Sequence, residues 1–299
     1  MVQPLQRKRE PMIRYDQVTV DGVAIRYAGE GNRAPLVLLH GAPFDHRIWL
    51  PLIPYLSGHF RVIAPDLPGA GGTALRERYH TPEQLFRLFA GMLTTLQMVP
   101  AYVVGAGIGG GIALGVASRY PERVRGVVAI GSVGVRWWPE TGMARLARRM
   151  VGVPGLAGLL LQIAPRIQAR HLLRSALGDP AYLSDALVEQ ILPMWRDARR
   201  RRAMVQLLRN LDEWQILGRR LGGVQAPTLL VWGERDRWYG LPAAEALRRA
   251  VPAAQLVTFD GAGHAVPIER PIDLAELIRR FFIPVDGSRM PTQRNNQRG

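Results

Sequence analysis

The chain has 299 residues and a formal net charge of +15, from 39 Lys+Arg against 24 Asp+Glu, with 47% hydrophobic residues and no cysteine. That length holds one large α/β domain or two small ones, and the apolar share can fill a sizeable core, which excludes a disordered tail. The missing cysteine excludes a disulfide framework, a thiol nucleophile and a thiolate zinc site; Lys8 is the only lysine, so the charge reads as arginine-rich composition and not as a nucleic-acid footprint.

Residues 1–12 are basic and lack the apolar run of a secretory signal, and they read as a flexible tail. Residues 13–20 and 23–28 alternate apolar and polar side chains around Asp21-Gly22, a dipeptide suited to a tight hairpin turn, which predicts an N-terminal antiparallel hairpin. Apolar runs of strand length at 36–39, 60–64, 101–104 and 124–130 then alternate with helical segments at 48–56, 82–96 and 110–118. Continuous apolar strands interleaved with helices predict a mostly parallel sheet covered on both faces. From 136 to 223 the rhythm gives way to helices with breaks at Pro154, Pro165, Gly178-Asp179-Pro180 and Pro193. It resumes with strands at 227–232 and 255–259 and helices at 242–250 and 272–282. The expected organisation is an α/β core at 13–135 and 224–283, a helical lid at 136–223, and tails at 1–12 and 284–299; ligands bind at the carboxyl ends of such strands, where an insertion acts as a lid. The longest apolar stretch, 151–164, falls short of the roughly 20 residues that span a bilayer, so no transmembrane segment and a cytoplasmic location are expected.

The glycine-dense segment 103–111 joins a strand to a helix. Gly105, Gly107 and Gly110 fit Gly-x-Gly-x-x-Gly, the dinucleotide fingerprint, but the segment does not open the sheet, and about 20 residues on stand Glu122 and Arg123 on a loop in place of an acidic residue ending the next strand. The other reading is a nucleophile elbow, Gly-x-Ser-x-Gly, for which Gly105-Ala106-Gly107-Ile108-Gly109 supplies both flanking glycines and lacks the serine. Around it, in chain order, stand His40-Gly41-Ala42-Pro43, Asp66-Leu67-Pro68-Gly69-Ala70-Gly71, the segment 227–236 ending in Glu234-Arg235-Asp236, and Gly261-Ala262-Gly263-His264. With these five segments the chain resembles the α/β-hydrolase superfamily, in particular its lid-bearing serine hydrolase and haloalkane dehalogenase-like members, over about residues 13–282.

The resemblance implies that Asp236 is the triad acid, His264 the base, and the N–H groups of Ala42 and Ile108 the oxyanion hole, with no cofactor and no metal. At the nucleophile position stands Gly107, which has no hydroxyl, thiol or carboxylate, so the covalent acyl-enzyme route is closed. Three readings follow: an enzyme acting on a small ester, lactone or carbonyl substrate with the His-Asp pair as general base; a non-catalytic small-molecule binder built on a disabled hydrolase; or an ordinary serine hydrolase whose nucleophile was replaced by Gly107. The expected partner is a small molecule and not nucleic acid, and the sequence does not fix an oligomeric state. His40 is expected to pack beneath the oxyanion turn, and His46, His59, His80 and His171 to be structural. Arg199 to Arg202 read as a solvated helix face, and Trp137-Trp138, Trp195, Trp214, Trp238 and Tyr239 as pocket lining or plain packing.

Overall fold

A computed structural model describes residues 12–74, 81–135 and 159–283. The tails at 1–11 and 284–299, His80, Trp137-Trp138 and the first part of the helical insertion lie outside the described residues. Strands β1 (Arg14–Val20), β2 (Val23–Glu30), β3 (Ala34–Leu39), β4 (Phe60–Pro65), β5 (Ala101–Ala106), β6 (Val124–Ile130), β7 (Thr228–Gly233) and β8 (Gln255–Phe259) form one sheet in the order β1-β2-β4-β3-β5-β6-β7-β8. β2 is antiparallel to both its neighbours, and every pair from β4 to β8 is parallel. The expected hairpin is there, closed by Asp21 at φ 48° and Gly22 at φ 74°.

The inner strands read as unbroken apolar runs because both faces are buried. Val37 and Leu39 of β3, Val127 and Ala129 of β6, and Leu230 and Trp232 of β7 enter one core, while Leu36, Leu38, Val128, Ile130, Leu229 and Val231 enter the other. Alternation thus divides each strand between two apolar layers. Helix α1 is only Ile53–Leu56: the expected helix over 48–56 splits into a 3-10 turn, His46–Trp49, and this short helix, with Pro51 and Pro54 interrupting the hydrogen-bond ladder. Helices α2 (Pro82–Thr95) and α3 (Ile108–Arg119) follow; α2 starts with a capping box in which the Thr81 side chain and Gln84 bond reciprocally.

Between β6 and β7 the described insertion contains α4 (Pro165–Ala176), α5 (Asp185–Ile191), α6 (Pro193–Arg196), α7 (Ala198–Arg209) and α8 (Leu211–Ile216), then a 3-10 segment, Leu217–Gly223. Pro165 and Pro193 mark helix boundaries as expected, each sitting at a helix start, where a missing N–H is harmless. α9 (Leu241–Ala250), α10 (Val266–Glu269) and α11 (Pro271–Phe282) complete the chain. No helix among the described residues is long and apolar enough to cross a membrane. The crossover from β3 leads outward to β4, whereas β5 pairs on the other side of β3, which makes the carboxyl ends of β3 and β5 the topological switch point.

Candidate active site

Three of the expected site residues meet at that edge. β5 ends at Ala106, and Gly107 turns the chain into α3 with φ 55° and ψ −117°, a positive φ that favours glycine. Its N–H donates to the Ile130 carbonyl of the neighbouring strand, which fixes the turn. His264 stands on the loop after β8 and Asp236 on the loop after β7, with His264 Nδ1 2.8 Å from Asp236 Oδ2. The Asp236 acceptor assigns the Nδ1 proton of the neutral ring and leaves Nε2 as a lone-pair acceptor. A Cβ built on Gly107 would stand 3.6 Å from His264 Nε2 and 3.7 Å from the Gly41 Cα. The imidazole Nε2 therefore stands within van der Waals reach of the point where a side chain at position 107 would begin.

The pair is held on every side. Asp236 is 6% exposed and His264 9%. The other carboxylate oxygen, Asp236 Oδ1, accepts from the main-chain N–H groups of Trp238 and Tyr239, each at 2.8 Å. Their rings lean on the imidazole, with centroids 4.6 Å away for Trp238 and 5.5 Å for Tyr239. Burial, then the Asp236 charge, push the Tyr239 phenol up to about 12, so it stays neutral beside the pair. Trp238 Nε1 also donates to Ser175 Oγ of α4, tying the histidine's stacking partner to the insertion. Of the tryptophans weighed as pocket lining, Trp195 and Trp214 are buried and do not line the cavity beside Ala42 and Ile108.

Ala42 and Ile108 flank one cavity of about 60 Å³ beneath the insertion. Neither main-chain N–H is bonded to any described residue, and Ile108 opens α3, where helix geometry leaves donors free. The turn bearing Ala42 lies against the elbow, since a Cβ on Gly41 would come 2.7 Å from the Ala106 carbonyl oxygen. His40 sits under this turn at 1% exposure: Nε2 accepts from the Leu67 N–H at 2.9 Å and Nδ1 faces the Gly41 carbonyl at 3.2 Å. Burial lowers its pKa, and a neutral ring is what that bonding pattern requires.

His46 has a partner that its sequence position does not announce. Its Nδ1 lies 2.8 Å from Asp66 Oδ1, and Asp66 Oδ2 accepts from the Gly72 N–H. With Asp45 these form the one group among the described residues whose ligand atoms gather closely enough for a metal, all within 4.8 Å. Yet Asp45 is bound by the Arg47 guanidinium, and Asp66 by His46 and Gly72, so the group serves to hold the loop that follows β4. Burial raises the Asp66 pKa, but the His46 hydrogen bond and the two imidazoles of His40 and His46 outweigh it and leave it below the ordinary 3.8. A carboxyl whose folded value is depressed contributes stability above its unfolded value that is lost as pH falls through the folded one. The gap in urea midpoint between the unaltered chain and Asp66→Asn should thus be full near about pH 6 and shrink steadily below about pH 4; a pH-independent gap would show that the charge contributes nothing.

The arginine cluster departs from the expected solvated face. Arg199 and Arg202 are exposed, but Arg200 donates to the Gly71 carbonyl at 2.7 Å and Arg201 to the Trp195 and Arg196 carbonyls. The two half-buried guanidiniums fasten α7 to the loop after β4 and to the end of α6.

Two further residues shape the site and carry little sequence signal. Gly131, after β6, has φ 49°, and a Cβ there would stand 2.9 Å from His264 Nδ1, so the His-Asp pair crosses directly over this backbone. Glu269, 3% exposed on α10, accepts the N–H groups of Gly178 at 2.8 Å, Asp179 at 3.1 Å and Gly263 at 2.7 Å. It clamps the end of α4 to the residue before His264.

A model of the "Alpha/beta hydrolase family" matches residues 36–277. The chain is 34% identical over 260 residues to a pimeloyl-[acyl-carrier protein] methyl ester esterase of Aromatoleum aromaticum, covering 83% of this chain and 97% of that one. It is 29% identical over 265 residues to a 2-hydroxy-6-oxo-2,4-heptadienoate hydrolase of Pseudomonas putida, covering 86% and 91%. In structure it is similar to a meta-cleavage product hydrolase of Pseudomonas fluorescens, with a TM-score of 0.75, 26% identity and coverage of 89% and 97%. Sequence order, sheet topology and a family match over most of its length together make this chain a member of the alpha/beta hydrolase family.

Proposed function

We propose that the chain is a cofactor-independent enzyme that hydrolyses a small ester, lactone or related carbonyl compound with His264 as general base and without a covalent intermediate. His264 Nε2 takes a proton from water as the water oxygen attacks the substrate carbonyl carbon. The oxygen that becomes negative is received by the N–H groups of Ala42 and Ile108, and the imidazolium, steadied by Asp236, returns the proton to the departing oxygen. The atoms balance as ester plus water giving acid plus alcohol. The observation that carries this reading is the imidazole itself: buried, oriented by Asp236 and with Nε2 toward the side-chain position that Gly107 leaves empty. The relatives named as an esterase and a hydrolase support the substrate class. The insertion then acts as a lid over the cavity.

The test is turnover of a panel of small esters, lactones and activated carbonyl compounds by the unaltered chain. His264→Ala should lower kcat/KM by at least about 10²-fold, Asp236→Asn should follow it, and product should form without a burst. Full activity of His264→Ala on the true substrate would sink the mechanism, and binding without any turnover would favour the non-catalytic reading. A second reading has its own observation: the space at Gly107 admits a Cβ with ordinary contacts, as the elbow of a conventional serine hydrolase would.

A further inference from the structure

The cavity that adjoins Ala42 and Ile108 has a chemical character of its own. Phe44, Leu67 and Leu85 line it from the core, and Met194, Met204 and Leu207 from the inserted helices. No described side chain in its wall is charged, although the chain carries +15 and four consecutive arginines directly precede Ala203 and Met204. The reason is structural. Arg200 and Arg201 spend their guanidiniums on main-chain carbonyls, and Arg199 and Arg202 are exposed to solvent. His40, the one ionisable side chain in the described wall, has both ring nitrogens engaged. A carboxylate entering here would lose its hydration and meet no counter-charge, whereas an alkyl group would exchange water for methionine, leucine and phenylalanine.

We infer that this cavity takes an uncharged apolar group, the acyl side of the substrate, and rejects the same group bearing a carboxylate. The inference deepens the proposed function and rests on it for seating the substrate carbonyl between Ala42 and Ile108. The methionines suit such a role, since their flexible thioethers adapt to alkyl groups of differing shape.

Equilibrium binding to the unaltered full chain tests it without requiring turnover. Straight-chain methyl ketones of increasing length, and matched keto acids ending in a carboxylate, would be titrated by saturation-transfer NMR. Affinity for the ketones should rise about fourfold for each of the first few methylenes that enter the cavity. The terminal carboxylate should weaken binding at least tenfold, Met204→Arg should reverse that preference, and Leu207→Trp should shorten the longest group accepted, with folding of both variants checked by urea denaturation. Keto acids binding as tightly as ketones, or no saturable binding by any ketone, would overturn the inference. A preference for carboxylates alongside His264-dependent turnover defeats this inference alone, and a preference for neutral ligands without turnover defeats the catalytic reading alone.

Discussion

Gly107→Ser is expected to raise hydrolysis of an activated ester by at least about 10³-fold over the unaltered chain, because the elbow lacks the one group whose loss costs a serine hydrolase on the order of 10⁶ in turnover. The geometry for the gain is in place. A Cβ at this position lies 3.6 Å from His264 Nε2, so an Oγ one bond further out, in the rotamer turned to the ring, comes within the roughly 2.6–3.2 Å of a hydrogen bond. Asp236 already orients the ring, and nothing in the elbow must shift, since the contacts of the new Cβ are ordinary. The change carries a conformational cost: φ 55° suits glycine, and a residue with a Cβ held there is strained by about 1–3 kcal/mol. The variant should therefore gain activity while losing about that much stability in urea. The gain should vanish in the double variant with His264→Ala, and a fluorophosphonate should label Gly107→Ser but not the unaltered chain. A folded Gly107→Ser that neither takes the label nor gains activity would mean that the backbone donors, or the approach of the imidazole, are wrong for acyl transfer.

The order of the five segments was enough to read the fold, because each carries a local reason for its residues. Asp21-Gly22 supplies a positive-φ turn, the inner strands must be apolar at every position to fill two cores, and glycine at the elbow lets strand and helix meet at an acute turn. Asp236 and His264 were legible only through the resemblance; the sheet order then brings the loops after β7 and β8 to the same edge and the two side chains within 2.8 Å. Contacts made to main chain were not legible. Glu269 follows an apolar run, Ala265 to Ile268, and its partners are main-chain N–H groups, those of Gly178 and Asp179 about 90 positions away and that of Gly263, which any residue but proline would offer. Arg200 and Arg201 look like solvated charge for the same reason, since carbonyl acceptors leave no mark on the sequence. His46 and Asp66 are both visible as residues, but the 20 positions between them hide the pairing until the loop after β4 is folded.

Glu269→Ala is expected to cost about 2–5 kcal/mol of folding stability, since it leaves the two buried main-chain donors of Gly178 and Gly263 without an acceptor and returns the part-buried Asp179 donor to water, and each buried orphan costs about 1–3 kcal/mol. The effect should reach beyond global stability. Glu269 joins Gly178 and Asp179, which follow α4, to Gly263, which precedes His264, and the Ala265 N–H bonds the Ala176 carbonyl across the same seam. The two backbones touch there, a Cβ on Gly263 falling 2.4 Å from the Gly178 nitrogen. Releasing the clamp should free the insertion and the histidine loop together. Hydrogen exchange at Gly178, Asp179 and Gly263 should accelerate as a group, while amides of β3 and β5 report only the global loss. Glu269→Gln should fall between: its carbonyl can still serve one side of the seam, but its NH₂ then confronts a donor on the other. Glu269 would be no more than a buried packing residue if exchange at Gly263 accelerated no more than in the sheet.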